Sequence, residues 1–214
     1  MAAPFSRSAV LVIKLVLLGM LGLVVGGIAV AHWRMEPRHV ELEPVQQPIA
    51  FSHKHHVGDD GIDCRYCHWS VEKSAFAGIP SAEVCLTCHS QLFSDAPMLE
   101  PLREAARSAR PLQWIRVHDL PDFVYFDHGI HVAKGVGCVE CHGRVDRMPR
   151  IERVASLEMQ WCLACHRDPA AHLRRPGDVF DMSSTPPADP RERARLAAQL
   201  LPRQRLTDCS TCHR

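Results

Sequence analysis

Residues 51–68 read FSHKHHVGDDGIDCRYCH and combine two patterns that recur along the chain. The stretch ends in a C-x-x-C-H motif, and it begins with His53 and His56, which have no cysteine beside them. In C-x-x-C-H the two cysteines are spaced to form thioethers with one porphyrin, and the following histidine is placed to bind its iron. The stretch therefore predicts one covalently attached haem and two further histidines that can serve as iron ligands.

All ten cysteines of the chain lie in motifs of this kind. In chain order these are Cys64, Cys67 and His68 (motif 1), Cys85, Cys88 and His89 (motif 2), Cys138, Cys141 and His142 (motif 3), Cys162, Cys165 and His166 (motif 4), and Cys209, Cys212 and His213 (motif 5). A zinc ribbon would not need a histidine after every cysteine pair, and disulfides would leave the five histidines unexplained. The pattern predicts a pentahaem cytochrome with five covalently bound haem c groups.

The composition restricts the fold and the partners. The formal net charge of the 214 residues is +1, so protein charge alone points to neither a nucleic acid nor an acidic substrate. A chain of this size cannot build an ordinary core around five porphyrins, so we expect the haems themselves to form the core. The prediction is a mainly irregular chain with short α-helices, which folds only when haem is bound because binding and folding free energies are then one quantity.

Residues 9–31, AVLVIKLVLLGMLGLVVGGIAVA, form an apolar segment with Lys14 as its one charge. This length spans a bilayer with some tilt, and Trp33 follows as an interfacial anchor. A cleaved signal peptide is the alternative, because residues 29–31 resemble a cleavage site, but the apolar run exceeds the usual signal core. We expect an uncleaved transmembrane helix in the cytoplasmic membrane. Covalent haem is attached outside the cytoplasm, so the rest of the chain should face the periplasm or its equivalent.

The opening stretch has a second copy, FDHGIHVAKGVGCVECH, at residues 126–142. Its Phe126, His128 and His131 correspond to Phe51, His53 and His56, and each copy is followed by a further attachment motif. An internal repeat of this kind indicates two dihaem modules. The predicted organisation is a cytoplasmic N-terminus (1–8), an anchor (9–31), a stalk (32–50), a first dihaem module (51–110), a second dihaem module (111–175) and a C-terminal tail with the fifth haem (176–214).

Local signals place two helices and a loop between the motifs. Residues 101–110 are expected to form a short helix that joins the modules. Residues 168–190 are rich in proline and polar residues and are expected to form a surface loop. Asp189 followed by Pro190 is a good helix start, and residues 191–201 are amphipathic up to Pro202.

Nine histidines lie outside the motifs, and the repeat selects four of them as distal ligands: His53, His56, His128 and His131. His118, between the modules, is the natural fifth. His55 aligns with Ile130 in the second copy, which argues against a ligand role. Met159, three residues before Cys162, is the rival for one site, since a thioether ligand would raise the potential of its haem. We expect the remaining histidines, His32, His39 and His172, to face solvent or form hydrogen bonds.

Three segments resemble the pentahaem cytochrome c subunit of alternative complex III, a bacterial quinol oxidoreductase, and more widely the c7-like multihaem cytochromes. They are F-S-H-K-x-H at residues 51–56, RVHDLPDFVYFDHGIHV at 116–132 and LEMQWCLACHR at 157–167. The similarity extends over nearly all of the chain beyond the stalk. It implies a multihaem cytochrome c fold built from c7/c3-like dihaem modules.

The resemblance also implies partners and part of the ligand scheme. The partners would be integral membrane quinol-binding subunits, a large iron–sulfur subunit related to molybdopterin enzymes, and a monohaem cytochrome c or terminal oxidase as acceptor. In the c7-like arrangement the first histidine of each pair binds the haem of the following motif, so His53 would serve motif 1 and His128 motif 3. His56 and His131 would then bind other haems.

The predicted function is electron transfer within a respiratory quinol-oxidising complex, with no catalytic activity of the chain alone. Six-coordinate haems suit this function because a saturated iron leaves no position for a substrate. Related complexes of the molybdopterin superfamily could use the same subunit. A small membrane quinol dehydrogenase that feeds a periplasmic reductase is a further alternative, and so is an enzyme with one open haem that reduces an oxyanion or peroxide.

Overall fold

A computed structural model of the chain describes residues 6–35, 45–202 and 205–213. It divides into two compact units, residues 1–39 and 40–214, which are considered separately. Its α-helices are α1 (Arg7–Met35), α2 (Cys64–Cys67), α3 (Ala82–His89), α4 (Glu100–Ser108), α5 (His128–Ala133), α6 (Val139–His142), α7 (Met159–Arg167), α8 (Pro190–Leu200) and α9 (Cys209–Cys212). Residues 36–44 of the predicted stalk, which include His39, lie outside the described residues.

The first unit is represented by α1, which contains the predicted anchor. From Arg7 to Arg34 it is long and apolar enough to cross a membrane, with a mean hydropathy of 2.6. Its apolar side chains are exposed along its length. A helix that packs in a water-soluble core would bury such side chains, so this exposure fits a lipid environment. A signal sequence near the N-terminus would have the same character.

The second unit consists of short helices joined by loops and tight turns, as the sequence predicted. One π-helical turn covers Lys54–Asp59, and 3₁₀ turns cover Pro97–Leu99, Val145–Arg147, Pro169–His172 and Pro176–Asp178. Within the described residues the β-structure is a single isolated bridge, Val136–Leu173. Most backbone N–H and C=O groups in this unit therefore form hydrogen bonds within helices and local turns. Such a chain suits a fold arranged around large cofactors.

A small apolar core lies behind motif 2. Helix α4 is strongly amphipathic and buries Leu102 and Ala105 against Ala82 of α3 and Ile49. Three ion pairs between Glu100 or Glu104 and the arginines of α4 cover the other face of this helix. The short helix predicted at residues 101–110 is confirmed, shifted by one or two residues.

The loop predicted at residues 168–190 is confirmed as irregular chain with two 3₁₀ turns, but only part of it lies at the surface. Leu173 and Val179 are 1% exposed, the lowest values in the described chain, and Arg174 is 3% exposed. The Arg174 backbone N–H donates to the Gly135 carbonyl (2.7 Å), and the Cys138 N–H donates to the Val179 carbonyl (3.2 Å). The segment therefore packs along the residues that lead into motif 3. Its few apolar residues are enough to bury it, a long-range effect that local proline and polar content does not reveal.

Each copy of the repeat packs on the loop that follows the other copy, so the packing is reciprocal. The turn Lys54–Asp59, in the first copy, lies on residues 145–148, just after motif 3; its Lys54 N–H donates to the Met148 carbonyl (2.9 Å). Helix α5, in the second copy, lies on residues 72–75, just after motif 1; its Gly129 N–H donates to the Ser74 carbonyl (3.1 Å). Each copy thus holds its histidine pair against the loop that follows the other copy's attachment motif.

Candidate haem-binding site

Each attachment motif includes a turn of helix. The His68 N–H donates to the Cys64 carbonyl (2.8 Å), the His142 N–H to the Cys138 carbonyl (3.0 Å), and the His213 N–H to the Cys209 carbonyl (2.9 Å). In motif 1 the Asp63 side chain caps the turn by accepting from the Arg65 N–H (2.8 Å). One helical turn brings the histidine back towards the first cysteine, the arrangement that attachment to a single porphyrin requires.

Four of the five motif histidines are oriented by their Nδ1 atoms, which donate to backbone carbonyls. The acceptors and distances are Gly78 for His68 (2.7 Å), Leu92 for His89 (3.0 Å), Leu206 for His166 (2.9 Å) and Phe123 for His213 (3.1 Å). A hydrogen bond of this kind fixes the tautomer and directs Nε2 away from the backbone, as is typical of metal-binding histidines.

The histidine pairs of the two repeat copies have the same local geometry. His53 meets Phe51 edge-on at 4.9 Å between ring centroids, and His128 meets Phe126 edge-on at 4.7 Å. The second histidine of each copy stacks on the same phenylalanine, at 4.5 Å for His56 and 4.4 Å for His131. The phenylalanine of the repeat therefore holds both imidazoles in fixed orientations.

Three of these imidazoles lie opposite motif histidines, and the three distances between ring centroids are nearly equal. The ring centroids are 6.2 Å apart for His56 and His89, 6.1 Å for His131 and His166, and 6.3 Å for His128 and His142. Because a metal–imidazole bond is about 2 Å long, two imidazoles on opposite sides of one metal ion have centroids about 6 Å apart. The residues present fit a haem iron between each pair, whereas the described residues contain no group of three or more metal-binding side chains.

His53 is buried close to motif 1. Burial lowers its pKa to about 4, with His68 as the next largest contribution, and its Nδ1 is a buried atom without a hydrogen-bond partner. A neutral imidazole in this position is in the state that binds a metal. The burial and the neighbour agree with the role that the family resemblance implies for His53.

His118, the fifth histidine predicted as a ligand, lies beside motif 3. Its ring centroid is 4.2 Å from that of His142, which is shorter than the separation across an iron. Its Nε2 is buried without a hydrogen-bond partner, and burial lowers its pKa to about 4. Burial lowers the pKa of His142 further, to about 3. His118 is therefore a neutral imidazole that lies against a motif histidine, with its Nε2 free of protein hydrogen bonds.

Met159, the rival ligand, and His55, which the repeat argues against, are both more exposed than these histidines. Met159 is the first residue of α7 and is 59% exposed. His55 faces solvent, where it lies near the carboxylates of Asp59 and Asp60 (3.8 and 3.6 Å).

One polar cluster had no signal in the sequence. His172 Nδ1 lies 2.9 Å from Glu140, a residue inside motif 3, and the buried Arg174 guanidinium donates to the same carboxylate (2.7 Å). Arg174 also donates to Ser184 (3.0 Å). Sequence reasoning had assigned His172 to solvent or a hydrogen bond, and it forms the hydrogen bond. The cluster ties motif 3 to the segment after motif 4, and only long-range packing could have revealed it.

The first comparison concerns a family of cytochromes. Residues 124–214, which include motifs 3, 4 and 5, match the family of cytochrome c7 and related cytochrome c. This part of the chain, which also contains the second repeat copy, is therefore similar to c7-like cytochromes.

A particular relative then narrows the comparison. The chain is 35% identical over 132 residues to the multihaem cytochrome c subunit of menaquinone reductase from Nitratidesulfovibrio vulgaris (strain Hildenborough). The match covers 61% of this chain and 56% of that relative, little more than half of its length.

Proposed function

We propose that this chain is a membrane-anchored pentahaem c-type cytochrome that carries electrons within a quinol-oxidising complex. The observation that carries the proposal is the set of imidazole pairs spaced at 6.1–6.3 Å across from motif histidines. Each of these three pairs would hold a haem iron with two imidazoles and leave it no position for a substrate. The five C-x-x-C-H motifs support five haems.

The spacing supports an assignment of distal ligands. His56 would serve the haem of motif 2, His131 that of motif 4 and His128 that of motif 3. His53, buried near His68, would serve the haem of motif 1. This leaves Met159 as the candidate for the haem of motif 5, because His118 lies against His142 of motif 3. In each copy, the first histidine would bind the haem of the first attachment motif that follows it in the chain. The second histidine would bind the haem of the motif after that one.

When bound, the haems supply one-electron chemistry, and the protein residues place and tune them. The Nδ1 hydrogen bonds of the motif histidines to carbonyls hold the rings at a fixed angle and raise their basicity, which favours the oxidised iron. Phe51 and Phe126 keep the distal rings from rotating. Neutral, buried histidines avoid the cost of placing a charge near the porphyrin.

Two complexes fit this role equally well. The resemblance to the pentahaem subunit of alternative complex III favours a quinol oxidoreductase that passes electrons to a monohaem cytochrome c or a terminal oxidase. The relative named above favours a complex of the menaquinone reductase kind. In either case we propose that α1 is an uncleaved anchor, that the haem unit faces the periplasm, and that the partners are membrane quinone-binding subunits and a large iron–sulfur subunit.

Composition analysis of the native membrane complex tests this proposal. Purification through this chain should recover multi-span membrane subunits and an iron–sulfur subunit, and the intact mass of the chain should include residues 1–31 and five haem groups. A catalytic reductase as the main partner would assign the chain to a different complex. Carbon monoxide binding and a high-spin iron signal in the intact complex would contradict the purely electron-carrying function, because they require an open iron position.

A further inference from the structure

We infer that the five haem-attachment motifs form one unbranched row in the order motif 2, motif 1, motif 3, motif 4, motif 5. The inference rests on the proposed function, because it assumes that each motif carries a haem. It gives the proposed electron transfer a path through the protein, with motifs 2 and 5 at its two ends. Four contacts between motifs carry it.

The first contact joins motif 2 to motif 1. Tyr66 and Thr87 are the third residues of the two motifs, and their hydroxyl oxygens are 2.7 Å apart. The helical turns of the two motifs therefore lie side by side.

The second contact joins motif 1 to motif 3 through the segment that follows motif 4 in the chain. The Arg65 guanidinium lies over the Phe180 ring at 4.6 Å, and the carbonyl of the adjacent Val179 accepts the Cys138 N–H at 3.2 Å. The same two motifs are brought together by the reciprocal packing of the repeat copies, since His128 Nδ1 donates to the Ala75 carbonyl (2.8 Å) just after motif 1.

The third contact joins motif 3 to motif 4. His128 and His131 lie on one short helix, with their rings 6.3 Å from His142 and 6.1 Å from His166. On the other side, Glu140 of motif 3 holds His172, which ends the turn that follows α7. A single helix thus faces two attachment motifs at once.

The fourth contact joins motif 4 to motif 5. His166 Nδ1 donates to the Leu206 carbonyl (2.9 Å), three residues before Cys209. The Cys212 carbonyl accepts the Tyr125 N–H (2.8 Å), and Phe126 next to it stacks on His131, the imidazole that faces motif 4. The tail therefore docks on the motif 4 side of the unit, which answers how a haem near the C-terminus is held in place.

Exposure changes along the proposed row in keeping with its order. Cys88 of motif 2 and Cys209 of motif 5 are exposed, while the other eight cysteines are partly buried. Motif 3 has no exposed residue, whereas each of the other four motifs has at least one. The middle of the row is enclosed and its ends are open. Electrons would accordingly enter at one of motifs 2 and 5 and leave at the other.

Removal of single haems tests the order. Cysteine-to-serine double variants of motif 2, motif 3 and motif 5 in the full-length chain are purified, their haems are counted by intact mass, and haem–haem coupling is read from the Soret circular dichroism. Five haems in a row have four neighbouring pairs, so removing motif 2 or motif 5 should delete one coupling each. Removing motif 3 should delete two and split the row.

The outcomes separate the order from the function. A loss for the motif 5 variant as large as that for the motif 3 variant would overturn the order. Fewer than five haems in the unsubstituted protein would instead contradict the proposed function. Should a variant fail to mature, the iron positions in an experimental structure of the unsubstituted holoprotein decide, and any neighbour pair other than motifs 2–1, 1–3, 3–4 and 4–5 overturns the order.

Discussion

Replacement of His56 by alanine gives the sharpest test of the ligand assignment. The His56 ring lies 6.2 Å from that of His89, which belongs to motif 2, and 4.5 Å from that of Phe51. His56→Ala should therefore leave the haem of motif 2 with one axial ligand, although motif 1 is the motif nearest along the chain. With five motifs, one fifth of the haem iron should change from low spin to high spin. Electron paramagnetic resonance and carbon monoxide difference spectra measure this fraction.

His55→Ala is the matched control, because His55 is adjacent but faces solvent with a side chain 58% exposed. It should leave the spin state of all haems unchanged. Combination with haem removal identifies the affected site: in a chain that lacks the motif 2 cysteines, His56→Ala should add no high-spin signal. A signal that survives the loss of motif 2 but disappears with the loss of motif 1 would refute the assignment.

Three further expectations concern other parts of the haem unit. His131→Ala should open the haem of motif 4 in the same way, since the repeat geometry is shared, and the same spectra measure it. Gly58→Ala should destabilise the unit by about 1–3 kcal/mol, because the added methyl group would overlap the Asp146 carbonyl. Gly177→Ala is the control, because its methyl group would meet open space and should leave stability unchanged. Denaturant unfolding measures both. Arg174→Met should cost about 3 kcal/mol by removing the buried partner of a carboxylate in motif 3; an unchanged unfolding midpoint would contradict a structural role for this ion pair.

The sequence predicted the parts of the site that depend on short spacing. C-x-x-C-H forms within one helical turn, and the repeat placed His53 and His56 in the same relation to Phe51 as His128 and His131 to Phe126, which the ring geometry confirms. The helix that starts at Pro190 was also predictable, because the Asp189 side chain caps it by accepting from the Arg191 N–H (2.9 Å).

The features that depend on contacts between distant residues were beyond sequence reasoning. Residues 168–190 looked like a surface loop because their proline and polar content is a local property, yet Leu173 and Val179 are buried by packing against residues 135–138. The rings that His56 and His131 approach belong to His89 and His166, at a distance along the chain that no local rule specifies. His118 could be selected as a ligand candidate, but its contact with His142 could not be foreseen.

The reciprocal packing of the two repeat copies has a consequence for biogenesis. The turn Lys54–Asp59 needs residues 145–148 as its support, and residues 72–75 need α5. In the proposed topology, with the haem unit exported N-terminus first, motifs 1 and 2 would cross the membrane before α5 and residues 145–148. The turn Lys54–Asp59 and residues 72–75 would lack their packing partners until those residues follow. A chain truncated before residue 126 would lack both partners, so neither contact could form.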